Sequence, residues 1–84
     1  MKLQVINLKP VYERLSKDRL VLLLKHILKV QGTELKRLNY PAAAKELGVE
    51  RAQIARDCRA LEKAKLIIIE GDKLRIAPDV VRSE

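Results

Sequence analysis

Phenylalanine and tryptophan are absent from this 84-residue chain, and Tyr12 and Tyr40 are its whole aromatic content. Proteins that hold single strands by base stacking use several aromatic platforms, so that mode of binding is disfavoured. Hydroxyl nucleophiles are almost as scarce: Ser16, Thr33 and Ser83 are the only ones, and the lone histidine, His26, has no visible nucleophile to serve. With no Gly-rich phosphate loop and no suggestive carboxylate spacing, the chain is not expected to be an enzyme. One cysteine, Cys58, cannot make an intramolecular disulfide and belongs to no Cys/His cluster. Neither a metal nor a cofactor is therefore expected, and a reducing cytoplasmic setting is. The longest apolar run, Leu20 to Leu24, is far too short to cross a membrane, and the N-terminus lacks a signal-peptide stretch. A soluble protein without membrane contact is the expectation.

What is abundant is positive charge. Lys and Arg number 18 against 11 Asp and Glu, for a formal charge of +7 and a pI near 9.9. Such a balance favours nucleic acid or another polyanion, with binding that falls steeply with salt. The length allows a single domain, 1–84, near the lower limit for a self-sufficient core, so a second subunit is a ready source of extra buried surface.

The most informative stretch runs from Tyr40 to Ile67. Pro41 suits the first turn of a helix, with Asn39 or Tyr40 as cap, and Gly48 suits the left-handed residue that ends one, which predicts a short helix over 41–48. From Glu50, the apolar residues Ile54, Cys58 and Leu61 recur at helical spacing and predict a second helix over 50–64. The face opposite that stripe holds Ala52, Gln53, Arg56, Arg59, Ala60 and Lys63, with Asp57 and Glu62 expected on the flanks. That face is basic, and small enough at Ala52 and Ala60 for a duplex to come close.

Ala44, Gly48 and Ile54 match the spacing of the helix-turn-helix motif, in which a small residue, a turn glycine and a β-branched residue let two helices cross closely. The continuation, Leu61-Glu62-Lys63-Ala64-Lys65-Leu66-Ile67 and on to Pro78, resembles the winged variety. That variety is found in iron-dependent repressors, multiple-antibiotic-resistance-type regulators and biotin ligase repressors. The resemblance covers residues 17 to 78. It implies an α+β fold of three helices with a two- to three-stranded antiparallel wing, here preceded by an N-terminal extension over 1–16. In one place the chain departs from the family pattern: Lys65 stands where the left-handed glycine usually comes after the recognition helix, at a cost on the order of 1 kcal/mol unless the helix ends differently or runs one residue longer.

The wing, over 66–77, is also legible locally. Leu66 to Glu70 is a β-branched run, Lys73 to Ala77 alternates, and Gly71-Asp72 is a two-residue hairpin signal. Leu74 and Ile76 are expected inward, Lys73 and Arg75 outward, and Pro78 ends the second strand. A short strand within Thr33 to Leu38 could pair with the wing, with Leu35 and Leu38 inward.

The first helix is expected over 17–31, capped by Ser16 and ended by Gly32. Its apolar residues cover nearly half its circumference, more than one core needs. The N-terminal segment is the obvious cover, as a strand within Lys2 to Leu8 with Leu3 and Val5 on one side and a short helix from Pro10 to Leu15. It could fold over its own chain or pair with a second subunit, and the dimer is preferred because two recognition helices one DNA turn apart confer specificity. His26 is expected at the surface, Leu22 exposed, Cys58 in the core, and the tail Asp79 to Glu84 frayed.

From the motif, the expected ligand is double-stranded DNA, read in the major groove by residues 50–60. Gln53 and Arg56 are the candidates for base edges, Arg59 and Lys63 for phosphate, Arg51 for either, and Lys73, with Arg75 second to it, for phosphate or minor groove. Glu50 could cap the helix or accept from cytosine. Metal sensing has no ligands to carry it. The expected role is a small transcription regulator acting as a homodimer. The alternatives are a winged module that docks on a protein partner in a replication, transcription or segregation complex, and a sequence-neutral chromosomal binder.

Overall fold

A computed structural model describes residues 4–7, 9, 11, 13 and 18–83. The expected cap at Ser16, the helix start at Lys17 and the inward Leu3 fall on residues outside that set; of the short helix expected from Pro10 to Leu15, the described residues Val11 and Glu13 are helical, and Val11 is completely buried. Three helices carry the core: α1 over Asp18–Gln31, α2 over Tyr40–Leu47 and α3 over Arg51–Lys63. Among the described residues, four strands form two antiparallel pairs. Strand β1 (Gln4–Ile6) pairs with β4 (Val81–Ser83), and β2 (Ile67–Glu70) pairs with β3 (Lys73–Ile76). The architecture is α+β, and among the described residues no helix is long and apolar enough to cross a membrane.

Helix α1 is the centre of the core. Leu23, Leu24 and Ile27 are completely buried, Leu20 and Val21 nearly so, and they meet Ile54 and Leu61 of α3 and Leu74 and Ile76 of β3 in one apolar cluster. Part of the excess apolar surface of α1 is covered from within the chain, where β1 lies against it with Ile6 buried, while Leu22 and Val30 stay exposed. Ile6 is the inward residue and Val5 is only half-buried, so the inward register of the strand falls on Ile6. The C-terminal tail is not frayed as expected. After a 3-10 turn at Pro78–Val80, residues 81 to 83 pair with β1, Gln4 opposite Ser83 and Ile6 opposite Val81. The apolar pair Val80 and Val81 is too short a signal to announce a strand whose partner lies at the other end of the chain.

The joints between helices obey local chemistry. Asn39 Oδ1 accepts from the Ala42 N–H at 3.1 Å and caps α2, with Pro41 in the first turn. Gly48 then takes φ 69°, and the N–H of Val49 reaches back to the Ala44 carbonyl at 3.0 Å. This six-to-one bond turns the chain sharply into α3. The same device ends α3: Leu66 N–H donates to Leu61 O and Lys65 N–H to Glu62 O, both at 2.9 Å, with Lys65 at φ 62°. Lys65 occupies the left-handed position without being glycine. Burying Leu61 and Leu66, which flank the turn, holds it there.

The β2–β3 hairpin has the expected two-residue loop, with Glu70 opposite Lys73 and Gly71 at φ 64°. Leu74 and Ile76 are buried and Lys73 is exposed, as the alternation required; Arg75 is half-buried. The segment 33–38 contributes a single antiparallel bridge, Lys36 to Leu74, with Leu38 buried and Leu35 half-buried. Gln31, at the end of α1, secures this corner: its Nε2 donates to Leu74 O at 2.8 Å and to Glu34 O at 3.1 Å.

Two substitutions test the left-handed joints. A Cβ at Gly48 would meet nothing within 4 Å, so Gly48→Ala should cost only the conformational term, about 1 kcal/mol in urea unfolding. Lys65→Val puts a β-branched residue at positive φ and should cost about 1–2 kcal/mol, with no change in the denaturant dependence.

Candidate nucleic-acid interface

The outer face of α3 is set by what its inner face buries. Ile54, Cys58 and Leu61 are at most 1 % exposed, which turns Arg51, Ala52, Arg56, Arg59, Ala60 and Lys63 to solvent. Gln53 stands at the margin, half-buried. Glu62 and Glu50 are exposed at the flanks, and the Glu50 side chain makes no capping hydrogen bond, although its carbonyl accepts from Gln53 and Ile54 N–H. Lys73 lies on the hairpin, beyond the end of α3, with Arg75 two residues on.

Asp57 is not on the flank. It is 3 % exposed and lies under α3, where Arg19 of α1 grips it with two bonds: Nε to Oδ2 at 2.9 Å and Nη2 to Oδ1 at 3.1 Å. A buried carboxylate needs a partner, and the planar guanidinium fits both oxygens at once. The bond to Asp57, and then its charge, raise the Arg19 pKa above its ordinary value. Oδ1 also accepts from Gln53 Nε2 at 2.8 Å, while Gln53 Oε1 accepts from Arg56 Nη2 at 3.1 Å. Periodicity puts Asp57 on the flank because it cannot see Arg19, which lies 38 residues away and supplies the reason Asp57 can be buried.

Three further acids pair away from this face, while Glu50 and Glu62 stay at its flanks. Ion pairs among the described residues include Lys29 with Glu46, Lys36 with Glu34 and Arg37 with Asp72, besides Arg19 with Asp57. The bond from Lys36 lowers the Glu34 pKa. None of the four pairs engages Arg51, Arg56, Arg59, Lys63, Lys73 or Arg75. The electrostatic field of the α3 face is left largely uncompensated at short range.

Cys58 packs beneath this face as a small hydrophobe. Burial pushes its thiol up to about 11, the neighbouring Asp57 charge adds to the rise, and a hydrogen bond with Tyr40 opposes it. Burial, with the Cys58 contact, likewise raises the Tyr40 pKa. His26, expected at the surface, is only 9 % exposed, with Nδ1 buried and lacking a hydrogen-bond partner. It lines a groove between α1 and α2 with Leu22 and Leu47, because α2 lies over that side of α1. Leu22 is 55 % exposed, as its position among lysines suggested. Among the described residues no group of His, Cys, Asp or Glu could hold a metal ion.

Comparison with protein-family models, with curated proteins and with solved structures gives no match. The resemblance to winged helix-turn-helix proteins therefore rests on the spacing of Ala44, Gly48 and Ile54 and on the continuation from Leu61 to Pro78.

Two outcomes are expected of the buried polar groups. Arg19→Met strands a carboxylate in the interior, so it should lower the unfolding midpoint more than Arg19→Met combined with Asp57→Leu. The Cys58 thiol is protonated in both states below its ordinary value of 9.0; above it the unfolded chain ionises first, until the folded thiol does so near 11. Stability should therefore be fully present below that window and fall by about 2–3 kcal/mol across it. Urea unfolding across the window should show this slope, and Cys58→Ala should flatten it.

Proposed function

We propose that this chain is a winged helix-turn-helix protein that binds double-stranded DNA as a homodimer and regulates transcription by occupying a promoter or operator. In this reading α2 and α3 are the helix-turn-helix, α3 is the recognition helix, and the β2–β3 hairpin is the wing. The N-terminal part of α3 enters the major groove. Arg56 meets base edges there, with Arg51 at the rim, while Arg59 and Lys63 further along meet phosphate and Lys73 and Arg75 extend the contact from the wing.

The observation that carries the reading is the distribution of charge on α3. Its outer face presents Arg51, Arg56, Arg59 and Lys63 to solvent, its one central acid is turned inward onto Arg19, and none of those four cations is taken up in an ion pair among the described residues. A helix face that served only for solubility would gain from acids interleaved with the bases. A single-sign face beside small residues at Ala52 and Ala60 instead suits a close, negatively charged surface.

Titration on duplex DNA tests this. If Arg59, Lys63, Lys73 and Arg75 each meet a phosphate, the logarithm of the binding constant should fall with the logarithm of salt with a slope of about −3 to −4 per subunit. Arg56→Ala with Arg59→Ala should weaken binding at least about tenfold. Salt-independent affinity, or affinity unchanged in that double variant, would sink the reading. Recovery of a stoichiometric protein partner by protein that ignores duplex DNA would favour a docking module instead, and a flat preference across a random library would favour a sequence-neutral binder. Symmetric half-sites in the selected sequences would support the dimer.

A further inference from the structure

Within the chain of bonds under α3, the orientation of the Gln53 amide is dictated by chemistry alone. Asp57 Oδ1 lies 2.8 Å from one end of that amide. The carboxylate, already bound at both oxygens by Arg19, can only accept, so the end facing it must be the nitrogen. The amide oxygen is then turned the other way, where Arg56 Nη2 donates to it at 3.1 Å. Reading adenine requires glutamine to offer oxygen and nitrogen together to one base edge. In Gln53 each end is already engaged by a different charged neighbour.

We propose that Gln53 is a positioning residue and that Arg56 alone of the two reads a base, namely guanine; the inference rests on the DNA-binding reading above. Arg19 holds Asp57, Asp57 holds the Gln53 nitrogen, and the Gln53 oxygen steadies the Arg56 guanidinium. Of the five N–H donors on Arg56, only one is used by Gln53, and the others remain for the O6 and N7 acceptors of guanine. An exposed arginine otherwise loses much of its rotamer freedom on binding, and a bond from a neighbour one turn away removes part of that freedom beforehand. Arg19, on α1 and away from the outer face of α3, thereby becomes a determinant of specificity without touching DNA.

Selection from a randomised duplex library, with salt titrations on the selected site, tests the assignment in the full chain. Wild-type protein should select guanine at one position of each half-site. Arg56→Lys should relax that position by about tenfold, since lysine lacks the fork. Gln53→Ala, and Gln53→Met, which keeps the length of the side chain, should relax the same position roughly fivefold. Neither should alter a preference for adenine or the salt slope, because no phosphate contact is lost. Loss of an adenine preference at a separate position in the Gln53 variants would show that Gln53 reads a base itself and would overturn the inference, as would unchanged preferences at every position; either result leaves the DNA-binding reading standing. Failure of the wild-type protein to bind duplex would overturn both, whereas duplex binding without sequence preference would overturn this inference and favour the sequence-neutral binder.

Discussion

The buried Asp57 carboxylate is the constraint around which the described structure is organised. A charge at that depth is tolerable only with its partners in place, and Arg19 must come from α1 to supply them. Apolar packing between α1 and α3 would accept some sliding or rotation, because methyl groups are indifferent to small shifts. A two-point grip between guanidinium and carboxylate is not. It specifies the rotation of α3 about its own axis, and with it which residues of that helix face outward.

A neutral counterpart operates at the other end of α1. Gln31 donates to the carbonyls of Leu74 and Glu34, while Lys36 and Leu74 exchange backbone bonds. The β2–β3 hairpin would otherwise be a two-stranded ribbon of marginal stability. It is held instead by Leu74 and Ile76 in the core and by these polar ties at its inner edge. Helix α1 thus fixes both elements that carry the uncompensated basic residues, α3 through Arg19 and the hairpin through Gln31.

Much of this was legible from local signals. The three helices, the hairpin and the inward set Leu74 and Ile76 rest on capping residues, turn glycines and periodicity, all short-range properties of the chain. The departures share one cause, which is partnership over long sequence separation. Asp57 is inward because of Arg19, His26 is buried because α2 covers it, and the tail is a strand because β1 is there to receive it. Of the candidate interface, the exposed cations are legible in the sequence, whereas the engagement of Gln53 with Asp57 and Arg56 depends on side-chain rotamers that helical spacing does not set. Of the two helix ends the sequence leaves open at Lys65, the left-handed one is found, and the burial of Leu61 and Leu66 explains why the position tolerates lysine.

The pairing of β1 with β4 bears on the order of events in folding. Gln4 meets Ser83 across almost the entire chain, so this contact encloses the longest loop in the structure. The helical joints and the hairpin close over a few residues each and can form early, but the clasp must wait until everything between its strands has been assembled. Short, and late to form, it is also the part of the sheet structure with the least to hold it when the core loosens. Fraying at either end of the chain therefore frees both strands at once and uncovers the side of α1 on which β1 lies.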